Sequence, residues 1–279
     1  MAIVVGESGA WREIVSNLRQ SGLVVHLPND IEPLLTSLRA TYQPSVDRKH
    51  SEVAQGIADI NTRIANLRAE KGAWRSFINW FRIWRCNKAI ARLQQEERKN
   101  TATLSGNINK LTVLLKSREL MGAKAEVEVI SRLSRLPAGH TVFNDLRLIA
   151  NRYIYFDGAA LQSAQIDHLV LSPAGVFVIE TKRWSKHFVE SGDYHDPFDQ
   201  IRRAAYLCYD ELREAFGKIH VRSVIACAGE LPSAPEGSYV KVLPVDELVG
   251  YISWFRQSEI TPEALLRVRH FFEGFIPKR

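Results

Sequence analysis

Cysteine is scarce in this chain: 279 residues hold three, Cys86, Cys208 and Cys227. Their odd number, wide separation and lack of any C-x-x-C spacing argue against a disulfide framework or a zinc site and fit a reducing, cytoplasmic setting. No stretch approaches about 20 apolar residues, so no membrane-spanning helix is expected. The apolar run at Ile3-Val4-Val5 has no basic residues before it and ends too soon for a signal peptide. Gly6-Glu7-Ser8-Gly9 lacks the G-x-x-x-x-G-K phosphate loop, and no such loop occurs elsewhere, which argues against an ATP motor. Proline is missing from Ser45 to Leu136, and with it the residue that most readily interrupts a helix.

That proline-free stretch carries a repeat. Val53, Ile57, Ile60, Ile64 and Leu67 step by 4 and 3, and Leu104, Ile108, Leu111 and Leu115 repeat the pattern. The spacing predicts two long helices, or one interrupted helix, of coiled-coil character, through which the chain is expected to form a homo-oligomer. Between them, Gly72 to Arg85 concentrates Trp74, Trp80 and Trp84 with two phenylalanines and three arginines. Such a segment can stack on bases, lie in an anionic membrane surface as a peripheral anchor, or enter a protein partner's groove. The competing reading continues the 4-3 seam through Trp74, Ile78 and Phe81, packs them, and leaves Trp80 and Trp84 unexplained. Residues 63 to 92 hold eight basic side chains and one acidic, Glu70, so the region should meet something anionic or stay strongly solvated. The net charge of +6 divides as +7 over residues 1–119 and −1 over 120–279. Ahead of the helices, Ile3–Val5, Trp11–Gln20 and Leu23–Leu27 read as strand, helix and strand, after which Pro28, Pro33 and Pro44 break the chain. The expected organisation is a small α/β segment at 1–44, a basic Trp-rich helical region at 45–119 and a larger domain at 120–279.

In that larger domain two short strings place charge where strands should be apolar: Gln165-Ile166-Asp167 and Glu180-Thr181-Lys182. Between them, His168–Ser172 and Val176–Ile179 are β-prone runs joined by Pro173-Ala174-Gly175, a hairpin signal. If Ser172–Gly175 is a tight four-residue turn, residues whose numbers sum to 347 pair, and Asp167 lies across from Glu180 with Lys182 on the same face. A three-residue loop with a glycine bulge shifts the pairing by one and turns Asp167 to the other face. In the first register two carboxylates and an ammonium converge. Clustered carboxylates repel, and a hard divalent cation such as Mg²⁺ relieves that, polarises a phosphodiester and activates a water, while Lys182 stabilises the developing charge. An exposed salt-bridge ladder of the same three residues is the alternative.

Gln165-Ile166-Asp167-His168, then Gly175-Val176-Phe177-Val178-Ile179-Glu180-Thr181-Lys182, then Trp184, resembles the NERD (nuclease-related) domain, a branch of the PD-(D/E)XK phosphodiesterase superfamily. The likeness extends to Gly122–Ile130, where Glu126 matches the family's upstream acid, and to Asp196-Pro197-Phe198-Asp199-Gln200, where Gln200 matches its later glutamine. Arg183 stands where the family more often has Asn. The resemblance implies Mg²⁺-dependent cleavage of nucleic acid, DNA in preference to RNA, by Glu126, Asp167, Glu180, Lys182 and Gln200. It further implies that Glu126, Asp167 and Glu180 are metal ligands, with Mn²⁺ as a substitute ion. Gln165, His168, Arg183 and Trp184 are read as nucleic-acid contacts, and His168, His187 and His195 as groups that support the site residues or touch substrate. The implied fold is restriction-endonuclease-like: α/β, a mixed central sheet flanked by helices and preceded by the coiled-coil region.

Local patterns bear on two of these positions independently. Glu126, Ile130 and Leu133 share a helix stripe, unless Val127, Ile130 and Leu133 define it and Glu126 lies at its edge. Asp196 reads as an N-cap with Pro197 at the first helical position, which puts Gln200 in the first turn, either reaching toward the sheet or standing as a surface amide. Strands are expected near Thr141–Ile149, Gln165–Ser172, Val176–Lys182, Val221–Ala228 and Tyr239–Leu243, and helices at Phe198–Phe216, Asp246–Phe255 and Pro262–Phe275, a mixed sheet with helices on both faces.

Overall fold

The computed structural model describes residues 1–70, 73–185, 196–231, 234 and 237–276, with 73–76 and 151 by backbone alone. The side chain of Trp74, and both His187 and His195, lie outside the described residues. In chain order the main elements are β1 (Ile3–Val5), α1 (Gly9–Arg19), α2 (Ile31–Ala69), α3 (Ala73–Leu114), α4 (Arg118–Leu133), β2 (Thr141–Phe156), β3 (Ala159–Ser172), β4 (Gly175–Lys182), α5 (Pro197–Phe216), β5 (Val221–Cys227), β6 (Lys241–Pro244), α6 (Leu248–Trp254) and α7 (Pro262–Glu273). Two compact units result, one from Met1–Arg19 with Arg118–Arg279, the other from Gln20–Ser117.

The first unit is built on one six-stranded sheet in the order β1-β2-β3-β4-β5-β6. β2, β3 and β4 run antiparallel to one another, whereas β1 joins β2, and β5 and β6 join β4, in parallel. This is the expected mixed α/β sheet. Leu169, Leu171, Val176 and Val178 pack with Ile201 and Leu207 of α5 and Phe272 of α7. Val170, Phe177 and Ile179 pack with Val129 and Leu133 of α4 and Leu248 and Ile252 of α6. Burial on both faces explains why β4 reads as a nearly continuous apolar run rather than an alternating one.

The β3–β4 register follows the first of the two alternatives. His168 pairs with Ile179, Leu169 with Val178 and Ser172 with Gly175, every pair summing to 347. The turn is closed by Ser172 Oγ, which donates to Gly175 O at 2.9 Å and accepts from Ala174 N at 3.2 Å.

Several expectations are corrected. Residues 1–19 belong to the sheet unit, because Ile3, Val4 and Val5 pair with Thr141, Val142 and Phe143; three residues are too short to signal a partner some 140 positions away. Leu23–Leu27 is not a strand. Pro33 sits in the first turn of α2, where a missing N–H costs nothing, and Pro44 lies within that helix. β2 and β3 extend well beyond the expected limits, to a turn at Asp157 and Gly158 with φ of 48° and 76°, the Asp-Gly signature of a tight hairpin.

The second unit is an antiparallel helical hairpin. Arg39 donates to Thr112, His50 Nδ1 lies 2.8 Å from Glu97 Oε1, and Asn79 Nδ2 donates to Leu67 O at 2.9 Å. Val53, Ile64, Leu67 and Leu111 are buried, so the heptad seam is used within one chain. Its continuation differs from the one expected. Ile78 and Phe81 are exposed, and α3 instead turns Asn79, Ile83 and Cys86 inward.

Candidate active site

Glu126 is carried by α4, whose fully buried stripe is Ala125, Val129 and Leu133. That stripe shares Leu133 with both patterns read in the sequence but runs through Val129 rather than Ile130, and it leaves Glu126 half-buried on its flank. There the carboxylate meets the start of α1: Oε2 accepts from Ser8 Oγ at 2.7 Å and from Ala10 N at 3.4 Å. A carboxylate at a helix N-terminus satisfies N–H groups that have no partner within the helix. Burial foremost, and then the Asp167 charge, nevertheless push the Glu126 pKa up to about 7.

Asp167 lies just past the last β3–β4 rung, and its Oδ2 accepts from Thr181 N at 2.8 Å. Its neighbour across the other ladder is Asp145. β2 and β3 pair at Asn144–His168 and again at Leu146–Ile166, and the rung between them is missing. Asp145 has φ 53°, a left-handed backbone uncommon outside glycine. One consequence is visible in the packing: Phe143 and Leu146 join the same core cluster, although a regular strand would put them on opposite faces. Asp145 accepts from Arg12 and from Gln165 Nε2, the latter at 2.8 Å. Gly9 packs close beside it: a Cβ there would stand 2.7 Å from Asp145 Oδ1, so the Asp145 carboxylate would have to shift.

Glu180 is buried, and Lys182 Nζ donates to its Oε1 at 2.5 Å and to Gln200 Oε1 at 3.3 Å. Gln200 reaches this point because Asp196 caps α5, accepting from Phe198 N at 2.9 Å, with Pro197 following in the first turn. The expected first-turn placement therefore holds. Burial first, then the Asp167 charge, raise the Glu180 pKa to about 8 against the opposing pull of Lys182. Burial also raises the Asp167 pKa, opposed by the Thr181 N–H and Lys182.

The structure thus joins Glu180, Lys182 and Gln200 by direct contact and brings Asp167 and Glu126 within electrostatic reach of Glu180. Among the described residues, no three acidic, histidine or cysteine side chains form a finished cation-binding group. Each carboxylate is turned to a protein donor: Glu126 to Ser8, Asp167 to the Thr181 N–H, Glu180 to Lys182. The donor chemistry still suits a hard cation, since the available ligands are oxygens and their crowding disfavours ionisation without a counter-ion. A cleft of about 600 Å³ opens beside them, lined by Arg12, Glu13, Ser16, Glu126, Asp145 and Gln165 among others; Asp167, Glu180 and Lys182 do not line it.

Two proposed substrate contacts are corrected. His168 is fully buried, with Nδ1 2.7 Å from Asn144 Oδ1 on the paired strand, and burial lowers its pKa to about 3. Trp184 is buried in the core cluster of α5. Gln165 and Arg183 are exposed. Ser8, Arg12 and Asp145 were not singled out from sequence. Asp145 carried a signal, a charge inside an apolar strand run, whereas the approach of Ser8 to Glu126 is set by chain reversal over 118 residues.

Residues 121–228 match the family model described as nuclease-related domain, NERD. No curated protein matches the chain. Among solved structures, the chain is similar to the crystal structure of protein VC1899 from Vibrio cholerae, at 13% identity and a TM-score of 0.28, with 80% of this chain and 56% of that chain covered. Glu126, Asp167, Glu180, Lys182 and Gln200 all fall within the family-matched span, and the chain carries over residues 121–228 a nuclease-related domain, NERD, of the PD-(D/E)XK superfamily.

Proposed function

We propose that this chain is a Mg²⁺-dependent nuclease that hydrolyses phosphodiester bonds in nucleic acid, DNA in preference to RNA, with Mn²⁺ as a substitute ion. The observation that carries this reading is the gathering inside the NERD span of three carboxylates whose pKa burial raises, with Asp167 and Glu180 feeling Lys182 and Glu126 feeling Asp167. Structural ion pairs ordinarily lower a carboxylate's pKa, whereas a site kept for a cation tolerates repulsion that the ion later relieves.

Glu126, Asp167 and Glu180 would hold the ion, which when bound supplies an activated water and polarises the scissile phosphate. Lys182, held between Glu180 and Gln200, places its positive charge where negative charge develops on the transferring phosphoryl group. Gln200 keeps that ammonium directed into the site. Arg12, half-exposed in the cleft beside Glu126, is positioned to meet substrate phosphate.

The decisive experiment digests single- and double-stranded DNA and RNA with Mg²⁺, Mn²⁺ or chelator. Cutting that needs metal and is lost in Asp167→Ala and Lys182→Ala, with substrate binding kept, is the expected result. The rival is a catalytically inactive protein that binds nucleic acid or a membrane surface, and one observation favours it: the three carboxylates already have protein partners. Absence of cutting by the wild-type chain on every substrate decides for that rival.

A further inference from the structure

Helix α3 has two apolar faces. One is the seam against α2, through Asn79, Ile83 and Cys86. On the other side, Phe77, Trp80, Phe81 and Trp84 follow i, i+3, i+4, i+7 spacing and form a continuous stripe. Phe77 is 72% and Trp80 64% exposed, and Phe81 and Trp84 are each about half exposed. Four large aromatic side chains on one exposed helical stripe exceed the scattered apolar exposure normal for a protein surface. Ile78, also exposed, adjoins the stripe. The stripe begins one turn after the start of α3, so it lies at the closed end of a hairpin whose helices are 39 and 42 residues long.

Charge identifies the partner. Arg82, Arg85 and Lys88 flank the stripe, and among the described residues no carboxylate pairs with any of them. Membrane-surface helices share this composition: aromatic groups settle at the headgroup boundary while arginine and lysine reach the anionic phosphates. Stacking on nucleic-acid bases fits less well. Phe81 and Trp84 stack on each other with centroids 5.7 Å apart, and Lys88 Nζ lies 5.1 Å from the Trp84 ring centre, so two of the four rings already have faces engaged that bases would use. Ile78 offers nothing to a base but is favourable among acyl chains.

We infer that the closed end of the α2–α3 hairpin docks on an anionic lipid bilayer, its aromatic stripe entering the headgroup boundary and Arg82, Arg85 and Lys88 binding lipid phosphates. The inference is independent of whether the NERD unit cuts nucleic acid. It is tested by sedimenting the full chain with vesicles of phosphatidylcholine alone or mixed with phosphatidylserine. Binding is expected to the mixed vesicles only, to weaken as salt rises, and to fall about 25-fold in Arg82→Ala/Arg85→Ala, at about 1 kcal/mol per charge. Trp80→Ala/Phe81→Ala should abolish it with the helical circular dichroism unchanged, and Lys182→Ala should leave it intact. If the aromatic pair proves necessary for folding, the arginine pair decides alone. No binding to mixed vesicles, or equal binding by the variants, overturns the inference, as does variant loss of single-stranded oligonucleotide binding with vesicle binding preserved.

Discussion

At Glu180 a buried carboxylate meets one ammonium and feels a second carboxylate, and burial outweighs the ammonium, so its pKa rises to about 8. Glu126 rises to about 7 for the same first reason. A folded chain that holds protons its unfolded form has released above the ordinary value of 4.5 is favoured at low pH and loses that advantage as pH rises through the raised values. In chelator, melting temperature is therefore expected to fall between about pH 5 and pH 8, less so in Glu180→Gln, with Mg²⁺ reversing the fall. A melting temperature that climbs over this range in both proteins would contradict the assignment. For catalysis, Lys182→Ala should reduce cleavage by about 100-fold or more, the usual loss when a charge-stabilising donor is removed. Asp145 was legible only as an odd charge in a strand. Its left-handed backbone and its place opposite Asp167 come from the fold. Asp145→Val should cost about 2 kcal/mol or more in a denaturant melt, because a β-branched residue resists positive φ, while Asp145→Asn should cost clearly less.

Element by element, local chemistry was readable wherever the interaction spans few residues. The Ser172–Gly175 turn permitted two registers from its composition; the observed pairing is the one that brings Asp167 level with Glu180. The Asp196–Pro197 start of α5 was equally plain, and Asp196→Ala should destabilise the chain by about 1 kcal/mol and loosen the first turn that presents Gln200, lowering activity more than stability. The seam of α3 was misplaced because this helix is apolar on two sides, and which side packs is chosen by α2 rather than by the spacing itself. Proline chemistry predicts a break at Pro44, yet α2 runs through it with the residue exposed. Replacing it with alanine restores an N–H to the helix and should stabilise the hairpin by about 1 to 3 kcal/mol, measurable as a raised midpoint of unfolding.

Across the whole molecule, charge and architecture divide together. Gln20–Ser117 forms the helical unit and carries 15 basic against 8 acidic residues, leaving the sheet unit near neutrality. A chain with residues 20–117 replaced by a flexible linker should retain the sheet unit and its metal-dependent cutting at low salt, and it should lose vesicle binding altogether. Sequence by itself determined the secondary structure of the long helices, the β3–β4 hairpin and the identity of the acids and lysine around it, because periodicity, turn residues and misplaced charges are local signals. Tertiary structure alone decided that β1 completes the sheet, that α1 offers its N-terminus to Glu126, that His168 and Trp184 are interior, and that the aromatic stripe of α3 is left uncovered. Those outcomes depend on which distant surfaces exclude water together, a property of packing that no window of neighbouring residues contains.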